Sequence, residues 1–293
     1  MVEADVAAQG VMNDIPVVRQ QLGVPPPYGL CEIEGVQLAF RQYGEGRDIV
    51  CLHAIGHGGG DFAAVVEALA PGYRVTVLDW PGHGWSGEDA QPPGVLRYGE
   101  LLAAFIAKQA LKNVILIGNS IGGGAAIHYA RLAPGNVAGL VLANPAGLIE
   151  MTPRNRRAVQ FMARFFAAGV SKRWWFTLAF AIYYRLMLPK APARARRRAI
   201  VAARFEIALL LAQAWRGFAD PSSDLRSTAA ALSCPVLFTW AMRDRFVRYD
   251  LCLDAMRAVQ NATVEKFDAG HTPFLETPQA FIASVTRFLD ARI

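Results

Sequence analysis

Residues 113–120, NVILIGNS, are almost continuously apolar and β-branched, and a small-residue turn leads from them into GGGAAIHYARLA, residues 122–133. A strand with no polar face has to be covered on both sides, which is the habit of a parallel sheet sandwiched between helices. Further runs of the same kind are DIVCLHA (48–54), RVTVLDW (74–80), VAGLVLAN (137–144), PVLFTWA (235–241) and ATVEKFDA (262–269). Between and after them the spacing predicts helices over DFAAVVEALA with Asp61 as cap, GELLAAFIAKQAL (99–111), 250–260 and 278–293. CEIEGVQLAFRQYG reads as a hairpin turning at Glu34-Gly35. The strand–helix alternation predicts an α/β fold with a mostly parallel central sheet.

One segment breaks that rhythm. Residues 151–220 contain no convincing strand and are expected to form a helical lid inserted between two core strands, the core then comprising 28–150 and 221–293. Residues 1–27 are polar, end in Pro25-Pro26-Pro27 and read as a loosely attached arm. At 53% hydrophobic and 18% charged, the chain is no disordered segment, and its 293 residues suit one large domain with an insertion. The formal charge of +6 hides an asymmetry: 151–220 hold 14 basic residues and two acidic ones, a net +12, against −6 elsewhere. The four cysteines form no CxxC or Cys/His cluster and are expected as buried reduced thiols. The first residues lack a long apolar run, so no secretory signal and a cytoplasmic location are expected. No ligand cluster or nucleotide motif implies a metal or organic cofactor, and no nucleic-acid-binding motif is present.

The chemistry concentrates around Gly118-Asn119-Ser120-Ile121-Gly122, a G-x-S-x-G element between strand and helix. Small residues at the flanks let the backbone turn sharply, leaving the serine hydroxyl above the sheet. Ser120 is therefore the expected nucleophile, and it needs a base. His271, in AGHTPFLETP just after the last strand, is the expected base, while His128 inside the helix reads as packing and His83 sits in the turn PGHGWS. Asp244 in WAMRDRFV is the expected orienting acid, with Asp250 as runner-up and Asp79 ahead of the nucleophile in sequence. For the oxyanion the expected donors are the amides of Ile121 and Ile55, the latter in the loop LHAIGHGGGDF. In that loop His53 reads as structural, and His57 either touches substrate or faces solvent.

Taken in order, LHAIG, DWPGHGWS, IGNSIGG, WAMRDRFV and AGHTPFLETP resemble the α/β-hydrolase fold superfamily from roughly Tyr28 to the C-terminus. The resemblance implies the α/β-hydrolase fold, a helical cap at 151–220, and acyl chemistry, because other branches of that superfamily use an aspartate where this chain has Ser120. The leading expectation is a serine hydrolase acting through an acyl-enzyme on a carboxylic ester or related carbonyl compound with an apolar acyl part. IGNSIGGGAA, NPAGL and FTWAMRDRFV also look similar to the carbon–carbon bond hydrolases of ring meta-cleavage products. That likeness implies substrate contacts from Asn119 and from a lid arginine among Arg196–Arg198, with Arg197 as the candidate; Ala54, in the oxyanion loop, is a further expected substrate contact. It departs at Thr272, where that family usually has tryptophan after the histidine. A non-enzymatic ligand-binding or membrane accessory protein on the same fold is the third reading, against which the intact Ser, Asp and His argue.

The lid itself, with RWWFTLAFAIYYRLML at 173–188, reads foremost as a roof over the pocket with solvated arginines. Recognition of an anionic substrate is the second reading. Docking to an anionic membrane surface is a third, not favoured one. A small-molecule substrate is the expected partner, and the sequence assigns no oligomeric state.

Overall fold

The computed structural model describes residues 29–293; the expected arm at 1–27 lies outside the described residues. Eight strands form one sheet: β1 (Gly29–Ile33), β2 (Val36–Tyr43), β3 (Arg47–Leu52), β4 (Tyr73–Leu78), β5 (Val114–Asn119), β6 (Val137–Ala143), β7 (Val236–Ala241) and β8 (Ala262–Phe267). Their spatial order is β1-β2-β4-β3-β5-β6-β7-β8. β1 and β2 make the expected hairpin, with Glu34 (φ 50°) and Gly35 (φ 78°) in the left-handed conformation that a two-residue turn requires. β2 also runs antiparallel to β4, and every later pairing is parallel.

The helices are α1 (Ala63–Leu69), α2 (Val95–Lys108), α3 (Ile121–Leu132), α4 (Pro153–Val170), α5 (Phe176–Met187), α6 (Arg194–Ala202), α7 (Ala208–Gly217), α8 (Arg226–Ala230), α9 (Tyr249–Arg257), α10 (Pro273–Glu276) and α11 (Pro278–Arg292). The central strands alternate between two cores, because successive side chains point to opposite faces. Val50, Leu52, Leu116, Leu140 and Phe238 pack with α2, α3 and α9 on one face. Ile49, Cys51, Ile115, Val141 and Leu237 pack with α1 and α11 on the other. This is why those strands read as unbroken apolar runs. All four cysteines are buried and unpaired in these cores.

α4–α8 fill the connection between β6 and β7. The Thr152 hydroxyl accepts from the Asn155 amide at 3.2 Å, and Pro153 opens the helix, so α4 starts where an N-cap and a proline agree. α5 buries Phe176, Phe180, Tyr183 and Tyr184, and the rings of Phe180 and Tyr183 lie 6.2 and 5.3 Å from that of Phe166 on α4. Gly169 of α4 makes room for Phe176, since a Cβ there would meet its ring at 2.4 Å. No helix among the described residues is long and apolar enough to cross a membrane.

One local expectation fails. Asp61 does not cap α1, whose N-cap is Phe62 without any side-chain bond. The Asp61 carboxylate is buried and ion-paired instead, as described below.

Candidate active site

Parallel strands end together, and ligands of such sheets sit beyond their carboxyl ends. Here the ends of β3, β5, β6, β7 and β8 deliver Ala54, Ser120, Asn144, Asp244 and His271 to one rim. Ser120 has φ 55° and ψ −118°, a strained conformation for a non-glycine residue, held between β5 and α3. Close packing fixes it there. A Cβ on Gly122 would lie 2.4 Å from the Leu52 carbonyl oxygen, and one on Gly118 would lie 2.7 Å from that of Gly122. The glycines on both sides of the serine are thus sterically required.

His271 Nδ1 lies 2.6 Å from Asp244 Oδ2, both side chains being buried. The remaining lone pairs of Asp244 are matched as a carboxylate's must be when it leaves water. The amides of Phe246 and Val247 donate to Oδ1 at 2.8 and 3.0 Å, and Asn144 Nδ2 donates to Oδ2 at 2.9 Å. Asn144 also accepts from the Ala241 amide at 2.8 Å, so it ties the end of β6 to the end of β7. With His271 Nδ1 turned to an acceptor-only carboxylate oxygen, Nδ1 is the ring's donor and Nε2 is left to accept. The backbone of His271 is fixed as well: its amide donates to the Met187 carbonyl at 2.7 Å, and its carbonyl accepts from Asn119 Nδ2 at 3.1 Å.

The loop after β3 is braced by two histidines. His53 donates through Nδ1 to the Ala54 carbonyl at 2.8 Å and accepts at Nε2 from the Trp80 amide at 3.0 Å. His83 donates through Nδ1 to the Pro81 carbonyl at 2.9 Å and accepts at Nε2 from the Gly56 amide at 2.8 Å. Both pairs of roles need a neutral ring. Burial drives the His53 pKa down to about 3, and burial with the neighbouring His53 lowers that of His83 well below its usual 6.5. Within this frame the amides of Ile55 and Ile121 donate to no other described residue. The Ile121 amide is also the first of α3, where orphan N–H groups and the helix dipole favour negative charge.

Beside this loop lies a buried charge network. His57 Nδ1 is 2.5 Å from Asp61 Oδ2, and Asp61 Oδ1 is 2.6 Å from Nε of Arg196 on α6. Burial works to raise the Asp61 pKa, but Arg196 and His57 outweigh it and hold the carboxyl below its usual range. Burial likewise lowers the His57 pKa, with Asp61 opposing.

Ser120, His271, Ala54, Ile55 and His57 all line one cavity, whose empty space is about 880 Å³ including its mouth. The remaining wall is mostly apolar: Met151, Val159, Tyr183, Tyr184, Leu211, Trp215 and Phe246 among others, largely from the insertion. No lysine or arginine lines it among the described residues; Asp224 does, and is paired to Arg226 at 2.8 Å. A serine at a strained strand–helix turn, a histidine held by a buried carboxylate, and two unused amides can together carry out nucleophilic attack on a carbonyl.

The other expected residues fall differently. Asn119 does not reach the cavity; its amide group is bonded to the Ala143 and His271 carbonyls, and its oxygen accepts from Thr272 Oγ1 at 3.3 Å. Arg197 also points away, donating to the Leu188 carbonyl. Its neighbour Arg196 is the one turned toward the core, and it meets Asp61 rather than the cavity. Asp250 is exposed and paired with Arg248, and Asp79 is buried between Arg41 and the Gly59 amide. His128 packs in α3 against Gly99, where a Cβ would meet its ring at 2.6 Å. Asn144, His83 and Asp61 were not singled out from sequence for these places. Only the strand-end position of Asn144 and the D-x-P-G-x-G turn around His83 pointed at them.

The Alpha/beta hydrolase family matches residues 49–284 of the chain. A pimeloyl-[acyl-carrier protein] methyl ester esterase of Xanthomonas campestris pv. campestris is 30% identical over 267 residues, covering 85% of this chain and 97% of that protein. An esterase from Exiguobacterium antarcticum superposes with a TM-score of 0.76 at 20% identity, over 89% of this chain and 98% of its own. The enol-lactonase from Burkholderia xenovorans superposes with a TM-score of 0.70 at 21% identity, over 89% and 100%. At such identities the two structures speak for the fold alone.

Proposed function

Since this chain belongs to the Alpha/beta hydrolase family, we propose that it is a serine esterase, with Ser120 as nucleophile, His271 as general base and then acid, and Asp244 as the group that orients His271. The observation that carries this reading is the shared cavity of Ser120 and His271, with His271 held by Asp244 at 2.6 Å. Ser120 Oγ attacks the ester carbonyl carbon and gives its proton to His271 Nε2. The oxyanion that forms faces the Ile55 and Ile121 amides. On collapse the C–O bond breaks and the alcohol leaves with the proton from His271. Water then repeats the sequence on the acyl-enzyme, releasing the acid and freeing Ser120.

The apolar wall supports an acyl part without charge near the reacting carbonyl, and the insertion acts as a lid that supplies most of that wall. The methyl ester esterase among the relatives supports ester hydrolysis in particular. The carbon–carbon bond hydrolase reading needs a cation for a substrate carboxylate, and none lines the cavity among the described residues. A fluorophosphonate probe should add one mass increment to the wild type and none to Ser120→Ala, and p-nitrophenyl esters of graded acyl length should be cleaved only by the former. Labelling or turnover that survives Ser120→Ala would refute the assignment.

A further inference from the structure

The outer side of the insertion exposes large apolar side chains in a regular array. Trp174, Leu178 and Ile182 follow one another at i, i+4, i+8 through α5 and its preceding turn, with 91%, 69% and 54% of their surface in solvent. Phe161 on α4 is 67% exposed. Beside them an apolar groove of about 1070 Å³ runs between α4 and α5, lined by Phe161, Phe165, Trp175, Ile182, Tyr183 and Phe246 among others. Arg164 is its one charged lining residue among those described. Arg157 and Arg164 share α4 with Phe161, and Lys172 and Arg173 directly precede Trp174; all four are exposed and make no ion pair among the described residues. Apolar contacts inside cationic flanks are ordinary neither for a solvated helix face nor for a core-facing one.

We infer that this face docks on an anionic lipid bilayer, with Trp174, Leu178 and Ile182 inserted below the headgroups and these arginines and lysine on the phosphates. Charge selects this occupant over a second copy of the chain. The insertion carries +12, so two such faces brought together would repel, whereas an anionic surface attracts each of them. The side chains suit the two depths of an interface: tryptophan and aliphatic groups at the acyl boundary, cations at the headgroups. Tyr183 and Phe246 line both the outer groove and the cavity of Ser120. These two side chains join the docked side to the wall of the serine's cavity, and an acyl chain leaving the bilayer would enter past them. The entry route rests on the esterase reading; the docking surface does not.

The test is co-sedimentation of the full chain with vesicles of phosphatidylglycerol and phosphatidylcholine in equal parts, against phosphatidylcholine alone. The wild type should bind the anionic vesicles at low salt, about tenfold or more tightly than the neutral ones, with a blue shift of tryptophan emission. Trp174→Ser/Leu178→Ser should lose the shift and about tenfold in binding while keeping its melting temperature and its turnover of a soluble short-chain ester. Arg157→Glu/Arg173→Glu should also lose about tenfold. Ser120→Ala should bind as the wild type does, which separates docking from catalysis. Wild type that stays in the supernatant, or vesicle binding indifferent to Trp174→Ser/Leu178→Ser, would overturn the inference. So would self-association of the wild type that this double variant abolishes, which would give the face to a second copy.

Discussion

Arg196→Met should loosen the insertion from the core, and more so in alkali than in mild acid. In the wild type Arg196 Nε stands 2.6 Å from Asp61 Oδ1, and the two side chains are 14% and 1% exposed. At an effective dielectric of 20, unit charges so close attract by about 6 kcal/mol, most of which offsets their desolvation. Removing one partner of such a pair costs about 3–5 kcal/mol, because the other charge stays buried. The residual exposure of Arg196 places the expected loss near the lower end, about 3 kcal/mol. His57 then changes the outcome with pH. Without Arg196 its repulsion is gone and Asp61 remains, so the His57 pKa rises relative to the wild type, and protonation restores a partner to the carboxylate. The unfolded ring takes up its proton first in both proteins, but the lower His57 pKa of the wild type makes it lose more stability than the variant as pH falls below about 6.5, so the gap between them narrows. Urea unfolding at about pH 8 should therefore show the full loss, and at about pH 6 clearly less. Adding Asp61→Asn should recover most of it, and the cycle of single and double variants gives the coupling directly. A loss under about 1 kcal/mol at pH 8, or an equal loss at both pH values, would refute the reasoning.

Asp244→Asn should lower kcat by about 10³–10⁴ with little change in KM, since the ring of His271 would no longer be held in the tautomer that accepts the serine proton; an unchanged kcat in ester turnover would remove Asp244 from its proposed role. Asn144→Ala deletes a 2.9 Å donor to the Asp244 carboxylate and should lower kcat about 10–100-fold, with steady-state kinetics and a melting curve separating this from unfolding. Gly122→Ala places a Cβ 2.4 Å from the Leu52 oxygen and should lower stability by about 1–3 kcal/mol; an unshifted melting temperature would contradict the packing. His53, His57, His83 and His128 all have pKa values lowered chiefly by burial, so unfolded chains take up protons first as pH falls. Their contribution is intact above about 6.5 and drains below it, by about 2 kcal/mol at pH 5 for His53 alone; a urea midpoint constant from pH 7 to pH 5 would argue against it.

What sequence makes legible here is whatever local pattern encodes. Strands covered on both faces announce themselves as apolar runs, and G-x-S-x-G between strand and helix reports its own turn. Their loop positions just past core strands mark His271 and Asp244 as candidates, and the structure sets them 2.6 Å apart. Roles made by distant partners left no such mark. Asn144 matters through a carboxylate 100 residues away, and His83 through the Gly56 amide. The run Arg196-Arg197-Arg198 offers three successive helix positions about 100° apart, and only packing decides that the first meets Asp61. Asp61 carried a capping pattern, yet the nearby His57 and the distant Arg196 claimed its oxygens.

The amide of His271 is held by the carbonyl of Met187, at the end of α5. Glu276 closes the same corner, accepting from the Gly270 amide and, at 2.6 Å, from that of Lys190. The insertion is therefore no interchangeable module. A chimera that grafts another cap between β6 and β7 would inherit the serine and the acid intact but leave the histidine loop without its outer bracket. Recombination among relatives should succeed only when the crossover carries residues 187–190 together with the segment around 270–276, as one inherited block.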